Sequence, residues 1–397
     1  MIPLREARRC TVPRGRTSAW RTVAVLAAAI ALAAPAAAQE KKADGPPEVK
    51  VSVAVGPAFP LGTAAQRWAE LITERVDKAF VARLHPGATL AQRDPAREFA
   101  ALPAGQADLA VGSALQWSLQ LPALGVYGLP WLAPGAREIE ALTADAALTA
   151  ALAAKLDAAG VTLVAVAPLG WRALATTTRA IDGPDDVKGL RLRIAPLPLL
   201  RDVVLALGAA PQSMGFADAQ AAFARGTLDG QEAMPTVLAA TRIDAAGQKH
   251  VADWRAVADV MVFAVRNELW QRWPEATRAT VRAAAGEAIR AAAALAREEA
   301  ALKQLAQSGI AVVRTTAAGH AAFRAATRTA DARWREAIGA DIVALAEQAL
   351  GAGGVAPAGA VAPATAVPPA SGAAPPNEAP RPTEASPTTG SPAPVAR

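Results

Sequence analysis

The feature that most narrows the fold begins at Val49, where strand and helix patterns start to alternate. Val49-Lys50-Val51-Ser52-Val53-Ala54-Val55 switches between apolar and polar or small residues with period two, the mark of a half-buried strand, and Gly56-Pro57 closes it. Thr63 to Val76 places Ala64, Trp68, Leu71, Ile72 and Val76 at helical spacing. A short strand is expected at Ala79–Leu84, stopped by Pro86-Gly87, then a helix over Asp94–Leu102 and a strand over Ala107–Val111. Strand, helix, strand, helix, strand is the rhythm of an open α/β sheet.

A second lobe is expected after the strand Thr162–Ala167. Leu174–Thr178 and Leu190–Ile194 read as short strands. Leu197–Leu207 and Phe216–Arg225 read as helices ended by Gly208 and Gly226. Val257–Arg266 is apolar and β-branched, a strand leading back to the first lobe. Trp273-Pro274-Glu275 then opens a helical stretch to Gln307, with Ser308-Gly309 as its stop. At about 1.5 Å per residue this predicts a rod of about 50 Å, long enough to brace both lobes. Ile310–Val313 reads as a strand and 317–349 as helical. The expected division is 49–169 for the first lobe, 170–254 for the second, and 255–350 for the return strand, bracing helix and last helices.

Both ends of the chain read differently. Arg5, Arg8, Arg9, Arg14, Arg16 and Arg21 precede an apolar run from Val23 to Ala34, and Ala36-Ala37-Ala38 offers a small-residue cleavage site. Residues 1–38 are thus expected to be a secretory signal peptide, too short in its apolar part to span a bilayer well, followed by a linker over 39–48. Arg8-Arg9 is a twin-arginine pair, but the residues after it favour the general secretory route. The leader carries +5 of the net +6, so the basic balance is poor support for nucleic-acid binding. Cys10, the one cysteine, also lies in it, which leaves the rest of the chain without a thiolate site or disulfide. No later stretch has the length of a transmembrane helix. Residues 351–397 hold eleven of the 31 prolines among Ala, Gly, Ser and Thr, and are expected to be a disordered tail.

Catalytic patterns are missing. His85, His250 and His320 are far apart and in no metal-ligand spacing. No G-x-S-x-G elbow, P-loop or dinucleotide fingerprint occurs, so no metal or cofactor is expected. Asp185-Asp186 and Glu298-Glu299 sit in helix-start or exposed-helix contexts, where a solvated face is the default reading.

The stretch from Leu169 to Pro235 is more specific. It holds Gly170-Trp171-Arg172, Asp186-Val187-Lys188-Gly189-Leu190-Arg191-Leu192-Arg193, Ala206-Leu207-Gly208-Ala209-Ala210-Pro211 with Met214 and Phe216, and Gly226-Thr227-Leu228-Asp229-Gly230-Gln231-Glu232. In order and spacing this resembles the DctP-type extracytoplasmic solute receptors of tripartite ATP-independent periplasmic (TRAP) transporters. Gly128-Leu129-Pro130-Trp131-Leu132 and Gly105-Gln106-Ala107-Asp108-Leu109-Ala110 extend the likeness, which covers roughly Val49 to Leu350.

The resemblance implies a two-lobed α/β fold of the periplasmic binding protein type, closing over a small organic acid in the cleft between lobes. It implies a periplasmic receptor that hands its ligand to a membrane permease, not an enzyme. Arg193 matches the family's carboxylate-binding arginine, a role for which a planar, permanently charged guanidinium is suited. Arg172 matches a second cation. Read from residues alone, Arg191 and Arg193 fall on one face of a strand, where a surface pair is the plain alternative. Trp171 reads as core or ligand platform, and Phe216 as cleft lining or core. Two departures stand out. Ala233 replaces the asparagine expected to hydrogen-bond the ligand, so that bond is lost or comes from water or another donor such as Gln212, which points to a more apolar acid or a different pose; Val76-Asp77-Lys78-Ala79 replaces a glycine-rich turn. Alternatives are a receptor serving a periplasmic sensor, a periplasmic enzyme on the same lobe pair, and a wall-associated protein acting through its tail.

Overall fold

The computed structural model describes residues 46–352, so the expectations for the leader, most of the linker and most of the Pro-rich tail lie outside the described residues. Among the described residues, eleven strands form two sheets. They are β1 (Glu48–Val53), β2 (Val81–Pro86), β3 (Leu109–Ser113), β4 (Val161–Trp171), β5 (Ala173–Thr176), β6 (Arg191–Ile194), β7 (Ala210–Ser213), β8 (Gly230–Ala233), β9 (His250–Asp253), β10 (Ala258–Arg266) and β11 (Ala311–Arg314). The first sheet runs β2-β1-β3-β10-β4 and the second β11-β9-β5-β8-β6-β7. β1, β2 and β3 are parallel, as helical crossovers require, and β10 is antiparallel to both of its neighbours.

The chain passes between the sheets in two adjacent strand crossings. Arg172 alone separates β4 from β5, and Trp254–Val257 separate β9 from β10. The crossings are tied together: Arg172 N–H donates to the Val257 carbonyl at 3.0 Å, and the Trp254 indole donates to the Arg172 carbonyl at 2.8 Å.

Three of these strands are not evident from sequence pattern. β7 carries Pro211 and lies at a sheet edge, where a missing N–H is tolerated. β8 and β9 are four residues each, too short for a period-two signal to stand out.

The expected bracing helix is two helices. Glu275–Ala292 ends at Ala293, whose φ of 45° is left-handed, and Ala294–Gln307 follows. The first packs on the helix Pro60–Arg75 and the second on the helix Pro235–Ala240, so each half follows its own surface. Alanine is the strongest helix former, so nothing in the local sequence marks the break. The turn at Val76-Asp77-Lys78-Ala79 also manages without glycine: Asp77 and Lys78 take φ of 45° and 60°.

Tryptophans anchor the apolar cores. Trp68 is fully buried, meets Phe263 edge-on with ring centroids 5.2 Å apart, and donates to the Val281 carbonyl at 3.0 Å. Trp131, Trp254 and Phe323 form a second aromatic cluster, with Trp131 and Trp254 5.7 Å apart. Burial of each such side chain contributes roughly 2–3 kcal/mol before its ordering cost. Among the described residues no helix is long and apolar enough to cross a membrane.

Candidate ligand site

A cavity of about 230 Å³ lies between the two sheets. Ser113 and Gln116, at and just after the end of β3, line it from the first sheet, and Arg193, Ala195 and Ala233 line it from the second. Loops beyond the carboxyl ends of parallel strands are the usual place for a ligand in an open α/β fold. Most of the wall is apolar, with Phe59, Leu169, Leu197, Met234 and Val237 among its side chains.

Two arginines meet at this cavity. Arg172 arrives from the crossing between β4 and β5, and Arg193 from the middle of β6. Glu232, 1% exposed on β8, joins them. Its carboxylate accepts Arg172 Nε and, at 3.1 Å, Arg172 Nη2, and its Oε1 also accepts the Ala195 N–H at 2.6 Å. Arg193 Nε donates to the Met214 carbonyl at 3.1 Å, and Nη1 to the Glu232 carbonyl at 3.4 Å. These bonds hold both guanidiniums in fixed planes at the cavity wall, which lowers the ordering cost of clamping a carboxylate.

The electrostatics follow from the same geometry. Burial alone would lower the pKa of Arg172, but the charge and hydrogen bonds of Glu232, with Asp259 behind, hold it above the ordinary arginine value. Burial dominates at Arg193, and its pKa is lowered, with Arg172 adding repulsion and Glu232 opposing. Both remain cations at neutral pH. Asp259, 2% exposed at a bulge of β10, accepts Ser113 Oγ at 2.5 Å and the N–H groups of Leu115 and Val260 at 3.1 and 2.9 Å. Burial pushes its pKa up.

The other expected site residues fall elsewhere. Trp171 is 2% exposed and bound into the core, its indole donating to the Ala133 carbonyl at 2.6 Å. Gln212 is exposed on edge strand β7, away from the cavity lining. Phe216 opens the helix Phe216–Ala224, but its side chain lies outside the described ones. Arg191 and Arg193 part company: Arg191 sits at the exposed start of β6, paired with Asp229 at 2.7 Å, whereas Arg193 is only 7% exposed. Glu298, expected on a solvated face, is 3% exposed because its helix lies against the end of β4. Its carboxylate accepts the Trp171 N–H at 2.8 Å. Glu232, Asp259, Ser113 and Gln116 are site residues that sequence reasoning passed over. Glu232 stood inside a recognised motif, while the other three have no local signal.

No group of three or more His, Cys, Asp or Glu side chains suited to a metal ion occurs among the described residues. Residues 51–337 match the family described as bacterial extracellular solute-binding protein, family 7, the DctP family. The chain belongs to this family. It is a family of extracellular solute-binding receptors. The C4-dicarboxylate-binding periplasmic protein DctP of Rhodobacter capsulatus is 28% identical over 280 residues, 70% of this chain and 80% of that protein. A TRAP periplasmic solute-binding protein from Ralstonia eutropha, solved with bound (S)-2-acetolactate, is 38% identical. It superposes with a TM-score of 0.72 over 77% of this chain and 99% of its own. A Shewanella oneidensis counterpart solved with succinate shares the fold at 20% identity, with a TM-score of 0.69 over 77% of this chain and 99% of its own. Arg172, Arg193 and Ala233, the last 2% exposed, line one cavity.

Proposed function

We propose that this protein captures a small organic acid in the cavity between its sheets and delivers it to a TRAP-type permease in the membrane. The observation that carries this reading is the convergence of Arg172 and Arg193, both largely buried and both pre-oriented, on one mostly apolar cavity. A planar guanidinium in such a setting binds a carboxylate through parallel N–H donors and disfavours neutral solutes. The Ralstonia protein's acetolactate, a short carboxylic acid, supports an acid of similar scale.

In this reading residues 1–38 export the chain to the periplasm and are removed. Residues 49–169 and 170–254 act as the two lobes, with 255–350 returning to the first and bracing both. Closure of the lobes over the ligand excludes water and strengthens the clamp.

A thermal-shift screen of monocarboxylates and dicarboxylates, run on the wild type and on Arg193→Ala, tests the assignment. A true ligand at a hundred times its Kd stabilises the wild type by about 2.7 kcal/mol. The variant should lose most of that shift. An acid that stabilises both proteins equally removes Arg193 from the clamp.

A further inference from the structure

The charges around the cavity constrain the ligand further, given the carboxylate reading above. Three ionisable residues line the wall among the described residues: Arg172, Arg193 and Asp259. Glu232 stands directly behind the arginines. Two cations therefore face two acidic groups. The set is neutral when both acids are ionised and carries a single positive charge when Asp259 holds a proton. One ligand carboxylate brings the total to zero when Asp259 is protonated and to a single negative charge when it is ionised, and each further carboxylate adds another uncompensated charge. A second carboxylate would enter a poorly solvated wall with no lysine, histidine or third arginine lining it.

The polar side chains are equally sparing. Ser113 Oγ is committed, donating to Asp259 and accepting the Gln116 N–H at 3.0 Å. Ala233 brings no donor or acceptor from its side chain. Gln116 and Thr236 also line the cavity, and the Gln116 Oε1 is buried without a hydrogen-bond partner. A buried amide oxygen left in this condition costs free energy that a ligand group can recover. Rotation about its soft terminal torsion turns the amide to the cavity. A hydroxyl both donates and accepts, so it satisfies Gln116 in either amide orientation. A polyhydroxylated chain would present more hydroxyls than Gln116 and Thr236 can pair and would lay the rest against Leu169, Leu197, Met234 and Val237.

We infer that the site selects short aliphatic monocarboxylic acids bearing one hydroxyl, with Gln116 reading the hydroxyl and Asp259 and Glu232 excluding a second carboxylate. Calorimetric titration of the full-length mature protein with four probes tests this: 2-hydroxy-3-methylbutanoate, its deoxy analogue 3-methylbutanoate, succinate and galactonate. The hydroxy acid should bind about tenfold or more tighter than the deoxy acid, and about a hundredfold tighter than succinate or galactonate. Gln116→Leu, close in volume, should bring the ratio between the hydroxy and deoxy acids towards one. Succinate or galactonate binding as tightly as the hydroxy acid would overturn the inference while leaving the carboxylate reading intact. An unchanged ratio in Gln116→Leu would remove Gln116 from the selection. Binding of none of the four would overturn the inference together with the carboxylate reading on which it rests.

Discussion

The Glu298 carboxylate accepts the backbone N–H of Trp171 at 2.8 Å, one residue before Arg172 enters the ligand cavity. Gly170 makes this approach possible. Its φ is 129°, and a Cβ there would stand 2.0 Å from Glu298 Oε2. The turn that delivers Arg172 thus depends on a residue with no side chain beside a buried acid from a helix more than a hundred positions later. Gly170→Ala should lower stability by about 2 kcal/mol or more, since backbone strain and overlap act together. Urea denaturation measures this; a loss within 0.5 kcal/mol, the usual range for a neutral surface change, would mean the turn relaxes freely.

Glu298 and Glu98 make stability depend on pH. Burial pushes Glu298 up to about 8 and Glu98 up to about 7, the latter although the Ser52 hydroxyl donates to it at 3.1 Å. A carboxyl whose pKa is raised by folding favours the protonated native state. Its contribution is complete below the ordinary glutamate range and is lost as pH rises through the folded value. Unfolding free energy should therefore fall between about pH 5 and pH 8, by at most about 3 kcal/mol for Glu98. Glu98→Gln keeps an acceptor for Ser52 and should flatten the curve. An unchanged slope in this variant would show that Glu98 is ionised throughout.

The Arg172–Glu232 pair should be expensive to break from one side. Glu232 is almost wholly buried, so Arg172→Ala leaves its carboxylate without its main counter-charge. A loss of about 3–5 kcal/mol is expected in the ligand-free protein. The double variant Arg172→Met with Glu232→Gln should recover much of it, because no charge is then stranded. A double-mutant cycle reads the coupling directly, and additive losses would refute it.

Ala293 takes the left-handed conformation at the break between the helices Glu275–Ala292 and Ala294–Gln307, and it is exposed. A non-glycine residue pays roughly 1–2 kcal/mol for that conformation. Ala293→Gly should raise stability by about 0.5–1 kcal/mol, less than the full relief because glycine also frees the unfolded chain. Chemical denaturation showing a destabilised variant would indicate that the break is not strained.

The alternation of strands and helices from Val49, the return strand near Val257–Arg266 and the motif series from Gly170 to Glu232 were legible in the sequence because each is local. A period of two or 3.6, a proline or glycine at an element's end, and residues at fixed spacing act over a few positions. They were sufficient for the α/β class and the family likeness, and that likeness in turn implied Arg172 and Arg193 as ligand-binding candidates. What completes the site is not local. Asp259 comes from β10, Ser113 from the end of β3 and Gln116 from the helical turn just after it, while Glu298, which accepts the Trp171 N–H behind the site, comes from a helix beyond both crossings. A lone acid on an alanine-rich helix reads as solvated, and only packing against β4 decides that Glu298 is buried. The same holds for the break at Ala293, where two different packing surfaces outweigh the propensity of an uninterrupted helix-forming run.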